Sequence, residues 1–289
     1  MQDIYILGSG AMGCLWASYC PPEQSVHFIQ RAPKEATFSF QVLPYATKHV
    51  TTCHAANELI HPIERLIVAT KAYDALAAMQ SVAHLLTDAT QVVLLQNGLG
   101  SQQAITDAFP HVAIFACSST EGAYKQDSNT LVHAGKGQNL IGAMNHHAKK
   151  EALADWLPDH QYQWQDQIEV TLWRKFMINC AINPLTVLYQ CQNGKLIEEP
   201  KYLSHMQQIC EEIDLLSQAQ TLNVDSAFVV ARQVCQLTAQ NFSSMLQDHR
   251  AQNPTEIDFM TGYLLKLATR YKIPCPKNAE VYESILNLG

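Results

Sequence analysis

Apolar positions change their spacing part-way along the chain. In the first 120 or so residues they come in short, nearly unbroken runs at 4–7, 26–29, 66–70, 91–96 and 112–117, with helically spaced stretches at 73–86 and 101–109 between some of them. Unbroken apolar runs are the signature of strands buried on both faces, and their alternation with helices predicts a doubly wound parallel α/β sheet. Two shorter runs at 131–133 and 140–141, separated by Gly135, Lys136 and Gly137, predict a hairpin at the sheet edge, with a polar-faced helix from His146 and a last short strand at 162–164. From Asp166 onward strand patterns cease. Long amphipathic segments at 167–183, 200–221, 225–247, 255–271 and 277–288 predict a separate all-α domain. The expected division is 1–165 and 166–289.

One helical stretch breaks its own pattern. Residues 172–184 read L-W-R-K-F-M-I-N-C-A-I-N-P, apolar on nearly every side except at Lys175, Asn179 and Asn183. Steps of four advance only ~40° around a helix, so these three polar groups form one narrow stripe. A buried ammonium and two carboxamides cost ~1 to 3 kcal/mol or more per group unless something polar meets them. The stripe is therefore either a core network tying helices together or a site.

Composition narrows the class. The chain has 289 residues, 47% of them apolar, enough for two cores. A net charge of −7 argues against general affinity for nucleic acid or an anionic membrane. Nine dispersed cysteines without a C-x-x-C pair read as reduced thiols of a cytoplasmic protein, and the twelve histidines show no metal-ligand spacing, so no metal is expected. The uncharged stretches 4–22 and 176–194 carry motif glycines, Asn, Gln and Pro, so no membrane span is expected either. A monomer or a homodimer is expected.

The run at 4–7 leads directly into Gly8-Ser9-Gly10-Ala11-Met12-Gly13, which is G-x-G-x-x-G between a strand and a helix. The first glycine permits the turn, the second lets backbone approach a pyrophosphate, and the third lets helix pack on strand, while free N–H groups at the helix start face the phosphates. After the next strand an NAD site usually carries a carboxylate, whereas here Gln30 and Arg31 follow. A guanidinium suits a 2′-phosphate, so NADP is expected over NAD. Lys71 and Asn97 follow later strands at the ends where ligands bind, although Lys71 also reads as a solvated loop charge and Asn97-Gly98 as a turn. Glu256 falls in the first turn of a helix, where dipole stabilisation alone explains it, and Ser243-Ser244 also reads as a small polar patch. A dinucleotide domain joined to a helical one suggests a dehydrogenase with its substrate between them. Lys175 would then protonate a developing alkoxide and Asn179 and Asn183 would orient the substrate.

These parts together resemble the ketopantoate (2-dehydropantoate 2-) reductase family. The likeness runs over essentially the whole chain: L-G-S-G-A-M-G at 7–13, Arg31, Thr70 with Lys71, Q-N-G at 96–98, L-W-R-K-F-M-I-N-C-A-I-N-P-L-T at 172–186, N-F-S-S-M-L-Q-D at 241–248 and T-E-I-D-F-M-T-G at 255–262. The resemblance implies a Rossmann-type sheet followed by a helical domain like the carboxy-terminal domain of 6-phosphogluconate dehydrogenase. It implies NADPH-dependent reduction of 2-dehydropantoate to (R)-pantoate, on the route to pantothenate and coenzyme A. Lys175 would be the general acid, and Glu256 would hold the substrate hydroxyl. Asn97 would sit between nicotinamide and substrate, Asn179, Asn183 and Ser244 would bind substrate, and Arg31 and Lys71 would bind the phosphate and ribose of NADP. Two departures from the family pattern are expected to touch ligand contacts, Asp74 near the cofactor and Glu121 in the segment 118–121. The alternatives are a reductase of another branched 2-oxo acid and a nucleotide-sensing regulator without catalysis; retention of Lys175, Glu256 and Asn97 speaks against the second.

Overall fold

The computed structural model describes residues 3–288, which cluster into two compact units. The first unit comprises the chain up to Gln96 together with Ser101–Thr171, and the second Asn97–Gly100 together with Leu172–Gly289. The chain thus leaves the first unit for four residues at 97–100, returns, and leaves again at Leu172 rather than near 165.

In the first unit the strands are β1 (Ile4–Leu7), β2 (Val26–Gln30), β3 (Thr37–Leu43), β4 (Thr47–Ala55), β5 (Ile63–Val68), β6 (Leu86–Leu94), β7 (Ala113–Ser119), β8 (Gly122–Lys125), β9 (Thr130–Gly135), β10 (Asn139–Ala143) and β11 (Gln163–Trp164). The helices are α1 (Ala11–Tyr19), α2 (Ala72–Ser81), α3 (Ser101–Ala108) and α4 (Lys150–Ala154). One sheet holds all eleven strands in the order β11-β10-β7-β6-β5-β1-β2-β4-β3-β9-β8, and β7, β6, β5, β1, β2 and β4 run parallel.

Alternate residues of the central strands feed two cores. Ile4, Ile6, Val93 and Phe115 pack with Leu15 and Trp16 of α1 on one face, while Leu7, Val92, Leu94 and Ile114 pack with Met79 of α2 and Ile105 of α3 on the other. Burial on both faces is the physical reason the runs are unbroken.

Two departures from expectation stand out. Phe38, Phe40 and Val42 alternate with polar residues to make β3, which with β4 fills the stretch 37–55 where no element is expected. The link from β2 to its parallel neighbour β4 is therefore an antiparallel strand instead of a helix. The expected hairpin is also corrected: β9 pairs with β8 and β3, whereas β10 pairs with β7 and β11. Only residues 136–138 join β9 to β10, although the two lie eight places apart in the strand order. So short a link reaches about 15 Å at most, so the sheet must curl until its two ends approach.

The second unit is helical: α5 (Ile168–Tyr189, its first turn still in the first unit), α6 (Lys195–Glu198), α7 (Pro200–Ala219), α8 (Ala227–Leu237), α9 (Ser244–Arg250), α10 (Thr261–Tyr271) and α11 (Pro276–Leu286). Its core takes Trp173, Phe176, Met177 and Cys180 from α5, Ile209 and Ile213 from α7, and Leu264 from α10. The expected helix 225–247 is interrupted between α8 and α9, and 255–271 becomes a 3-10 turn at Ile257–Phe259 followed by α10. Among the described residues no helix is long and apolar enough to cross a membrane, and no group of His, Cys, Asp and Glu could hold a metal ion.

Candidate active site

In the first unit the glycine loop joins β1 to α1. Gly8 has φ +100°, the left-handed region, and a Cβ on Gly13 would lie 2.0 Å from the Gly8 carbonyl oxygen, so both positions require glycine. Above Gly10 there is open space, with nothing within 4 Å of where its Cβ would be. The N–H groups of the first turn of α1 have no acceptor within the helix, and no side chain caps that end. Space over a glycine beside free N–H groups fits a dinucleotide pyrophosphate. Gln30 donates from Nε2 to Ser9 Oγ at 2.8 Å and steadies the loop.

A cavity of about 840 Å³ continues from this loop, lined by Gly8, Ser9, Arg31, Thr70 and Asp74 among others. Arg31 projects from the end of β2 with its side chain 84% exposed, and its Nη2 lies 2.9 Å from Asp74 Oδ1. Lys71 stands at the N-cap of α2, half-buried, just before Asp74 and outside the cavity lining.

In the second unit the short segment Asn97–Gly100 is held by the turn after Glu256. Leu99 N–H donates to the Phe259 carbonyl at 2.9 Å. Gly98 has φ +77°, and a Cβ there would sit 2.2 Å from that same carbonyl oxygen. So Asn97-Gly98 is more than a turn dipeptide: it seats a loop that presents Asn97 to α5, where Lys175 Nζ donates to Asn97 Oδ1 at 2.7 Å.

Along α5 the stripe grows more buried, with Lys175 and Asn179 half-buried and Asn183 7% exposed. Asn183 Nδ2 approaches Met260 Sδ at 3.7 Å, a weak donor contact. Glu256 is 4% exposed at the N-cap of the 3-10 turn Ile257–Phe259 and its side chain makes no helix-cap hydrogen bond, so capping does not account for its burial. Ser243 is the buried serine, accepting from Leu246 N–H at 3.1 Å and sharing a 2.6 Å hydrogen bond with Thr186, while Ser244 opens α9 exposed. Contacts therefore bring Asn97, Lys175, Asn183 and the turn after Glu256 into one neighbourhood, and Ser243 stands one turn beyond Asn183.

The family model described as "Ketopantoate reductase PanE/ApbA" matches residues 4–146, and "Ketopantoate reductase PanE/ApbA C terminal" matches residues 167–288. A 2-dehydropantoate 2-reductase from Vibrio cholerae is 32% identical, covering 99% of this chain and 98% of its own. The chain belongs to the ketopantoate reductase family. Among solved structures, a probable 2-dehydropantoate 2-reductase from Bacillus subtilis superposes with a TM-score of 0.84 at 26% identity, over 99% of this chain and all of the other. A D-mandelate dehydrogenase with NADH and anilino(oxo)acetate reaches the same TM-score over 99% of this chain and 98% of its own, at 19% identity, which shows a shared fold.

Two side chains expected near the site, Gln96 in Q-N-G and Asp74 near the cofactor, make contacts that the sequence does not specify. Gln96 is buried and donates to the carbonyls of Val68 and Thr70 at 2.9 and 3.1 Å, fixing the strand ends that precede Lys71 and Asn97. Asp74 meets Arg31 across 43 residues of sequence. A glutamine at the end of an apolar run is a signal for the first, and nothing local signals the second. Glu121, by contrast, accepts from His133 Nε2 at 2.7 Å and from Gly137 N–H at 3.0 Å, so its role is to bind β8, β9 and their link to β10 together.

Proposed function

We propose that the protein catalyses NADPH-dependent reduction of 2-dehydropantoate to (R)-pantoate in pantothenate and coenzyme A biosynthesis. The observation that carries this reading is the Lys175–Asn97 hydrogen bond, made by two residues of the polar constellation, in a chain similar end to end to reductases of that substrate. The loop from Gly8 to Gly13, with Ser9, Ala11 and Met12, holds the pyrophosphate, and Arg31 and Lys71 hold the phosphate and ribose of NADP. When bound, the reduced nicotinamide supplies the hydride that the C2 carbonyl accepts. Lys175 gives a proton to the C2 oxygen as charge develops there, and is reprotonated from solvent. Asn97 keeps the ammonium aimed, Glu256 accepts from the substrate hydroxyl, and Asn179, Asn183 and Ser244 bind the rest of the molecule.

The test follows nicotinamide oxidation with a panel of 2-oxo acids and both cofactors. 2-Dehydropantoate should give the highest kcat/KM, and NADPH should exceed NADH by at least about tenfold, as expected of a guanidinium facing a 2′-phosphate. A better branched 2-oxo acid would move the substrate assignment, equal use of the two cofactors would remove the role of Arg31, and no turnover with any of them would favour a sensor.

A further inference from the structure

Arg31, which lines the 840 Å³ cavity beside the glycine loop, faces a carboxylate in that same cavity. Asp74 is fixed to the first turn of α2, whose Ala72, Ala75 and Met79 are buried, and its own N–H donates to the Lys71 carbonyl at 3.0 Å. That turn cannot withdraw without disturbing the core of the sheet. Its side chain is 41% exposed, and its Oδ1 reaches Arg31 Nη2 at 2.9 Å. A phosphate taken up by Arg31 must therefore share the guanidinium with Asp74 or displace it, and in either case lie a few ångströms from a negative charge. A ribose 2′-hydroxyl meets the opposite situation, since it donates a hydrogen bond to a carboxylate readily.

We propose that Asp74 is a specificity-determining residue that competes with the 2′-phosphate for Arg31 and so holds the preference for NADP over NAD below what Arg31 alone would give. The inference rests on the proposed nucleotide site but not on the identity of the oxo acid. One charge against a phosphate at this range, in a partly solvated cavity, is worth ~10-fold in affinity. Asp74→Asn keeps the size of the side chain and the helix while removing the charge.

Calorimetric titration of the full-length protein with NADP⁺ and with NAD⁺ reads the effect without turnover. Asp74→Asn is expected to tighten NADP⁺ about tenfold and to leave NAD⁺ unchanged or weaker. In an Arg31→Ala background the same substitution should gain much less for NADP⁺, because the competition is for that guanidinium. Equal changes for the two nucleotides, or no change in their ratio, would overturn the role of Asp74 while leaving the nucleotide site intact. An undiminished gain in the Arg31→Ala background would overturn the competition. Failure of the unmodified protein to bind either nucleotide would remove the site itself, and with it the cofactor assignment.

Discussion

At the scale of single residues, Lys175 is tied by one of its three N–H bonds to Asn97 and remains half-exposed. A positioned acid contributes ~10²-fold or more, so Lys175→Ala should lower kcat by at least that factor in the nicotinamide assay. Lys175→Arg should fail almost as badly, because a guanidinium keeps the charge but does not release a proton. Near-normal turnover in the arginine variant would reduce Lys175 to a charge. Glu256 makes a different claim. Glu256→Ala should harm 2-dehydropantoate far more than an analogue without its hydroxyl, and equal losses would show a structural carboxylate. These two residues were unequally legible: Lys175 announces itself by a polar stripe of period four in an apolar helix, whereas Glu256 is indistinguishable in sequence from a dipole-stabilising acid until its burial is known. Arg31 and Asp74 are each legible as residues near the cofactor, but their pairing is not, because it depends on how a strand end and a helix start are brought together by the sheet.

At the scale of elements, most departures trace to backbone groups engaged elsewhere. The expected helix through 225–247 stops after Leu237 because Asn193 and Gly194 donate their N–H groups to the carbonyls of Asn241 and Ala239, and Asn193 Nδ2 reaches Thr238 Oγ1 at 2.9 Å. Helix α10 starts late because the Phe259 carbonyl serves Leu99 and Met260 takes φ −113°, ψ −100°. Conversely α5 runs five residues past Pro184, which removes one helical hydrogen bond, because Leu185 and Val187 are fully buried beyond it. Periodicity reports which side is apolar and is blind to such long-range acceptors. The loop from Asn97 to Gly100 is the most exposed to a small change. Gly98→Ala should cost at least about 1 to 3 kcal/mol in stability, through the positive φ and the clash of its Cβ with the Phe259 carbonyl, and should lower kcat about tenfold or more by shifting Asn97. Thermal unfolding and steady-state rates together check this, and an unaffected kcat would detach the loop from catalysis.

At the scale of the whole molecule, the change of apolar spacing correctly separates a sheet-bearing from a helical part, because burial on two faces and burial along one stripe leave different patterns. The nine cysteines are all free thiols, seven of them buried. Burial pushes Cys14 and Cys275 up to about 11 and Cys20 and Cys235 up to about 12, which suppresses the reactive thiolate. Thiol titration of the native protein at mildly alkaline pH should thus find at most the two partly exposed groups, Cys20 and Cys191, and all nine after denaturation. Rapid native reaction of more would contradict the packing. The excursion at Asn97–Gly100 bears on something else, the order in which the chain can be made and inherited. Those four residues leave the ribosome long before Phe259, so the loop lacks its seat in the helical unit until synthesis is nearly over. A gene fragment encoding only 172–289 would omit them, so this helical unit is poorly suited to being shuffled onto another nucleotide-binding partner, and its recombination is expected to carry the loop along.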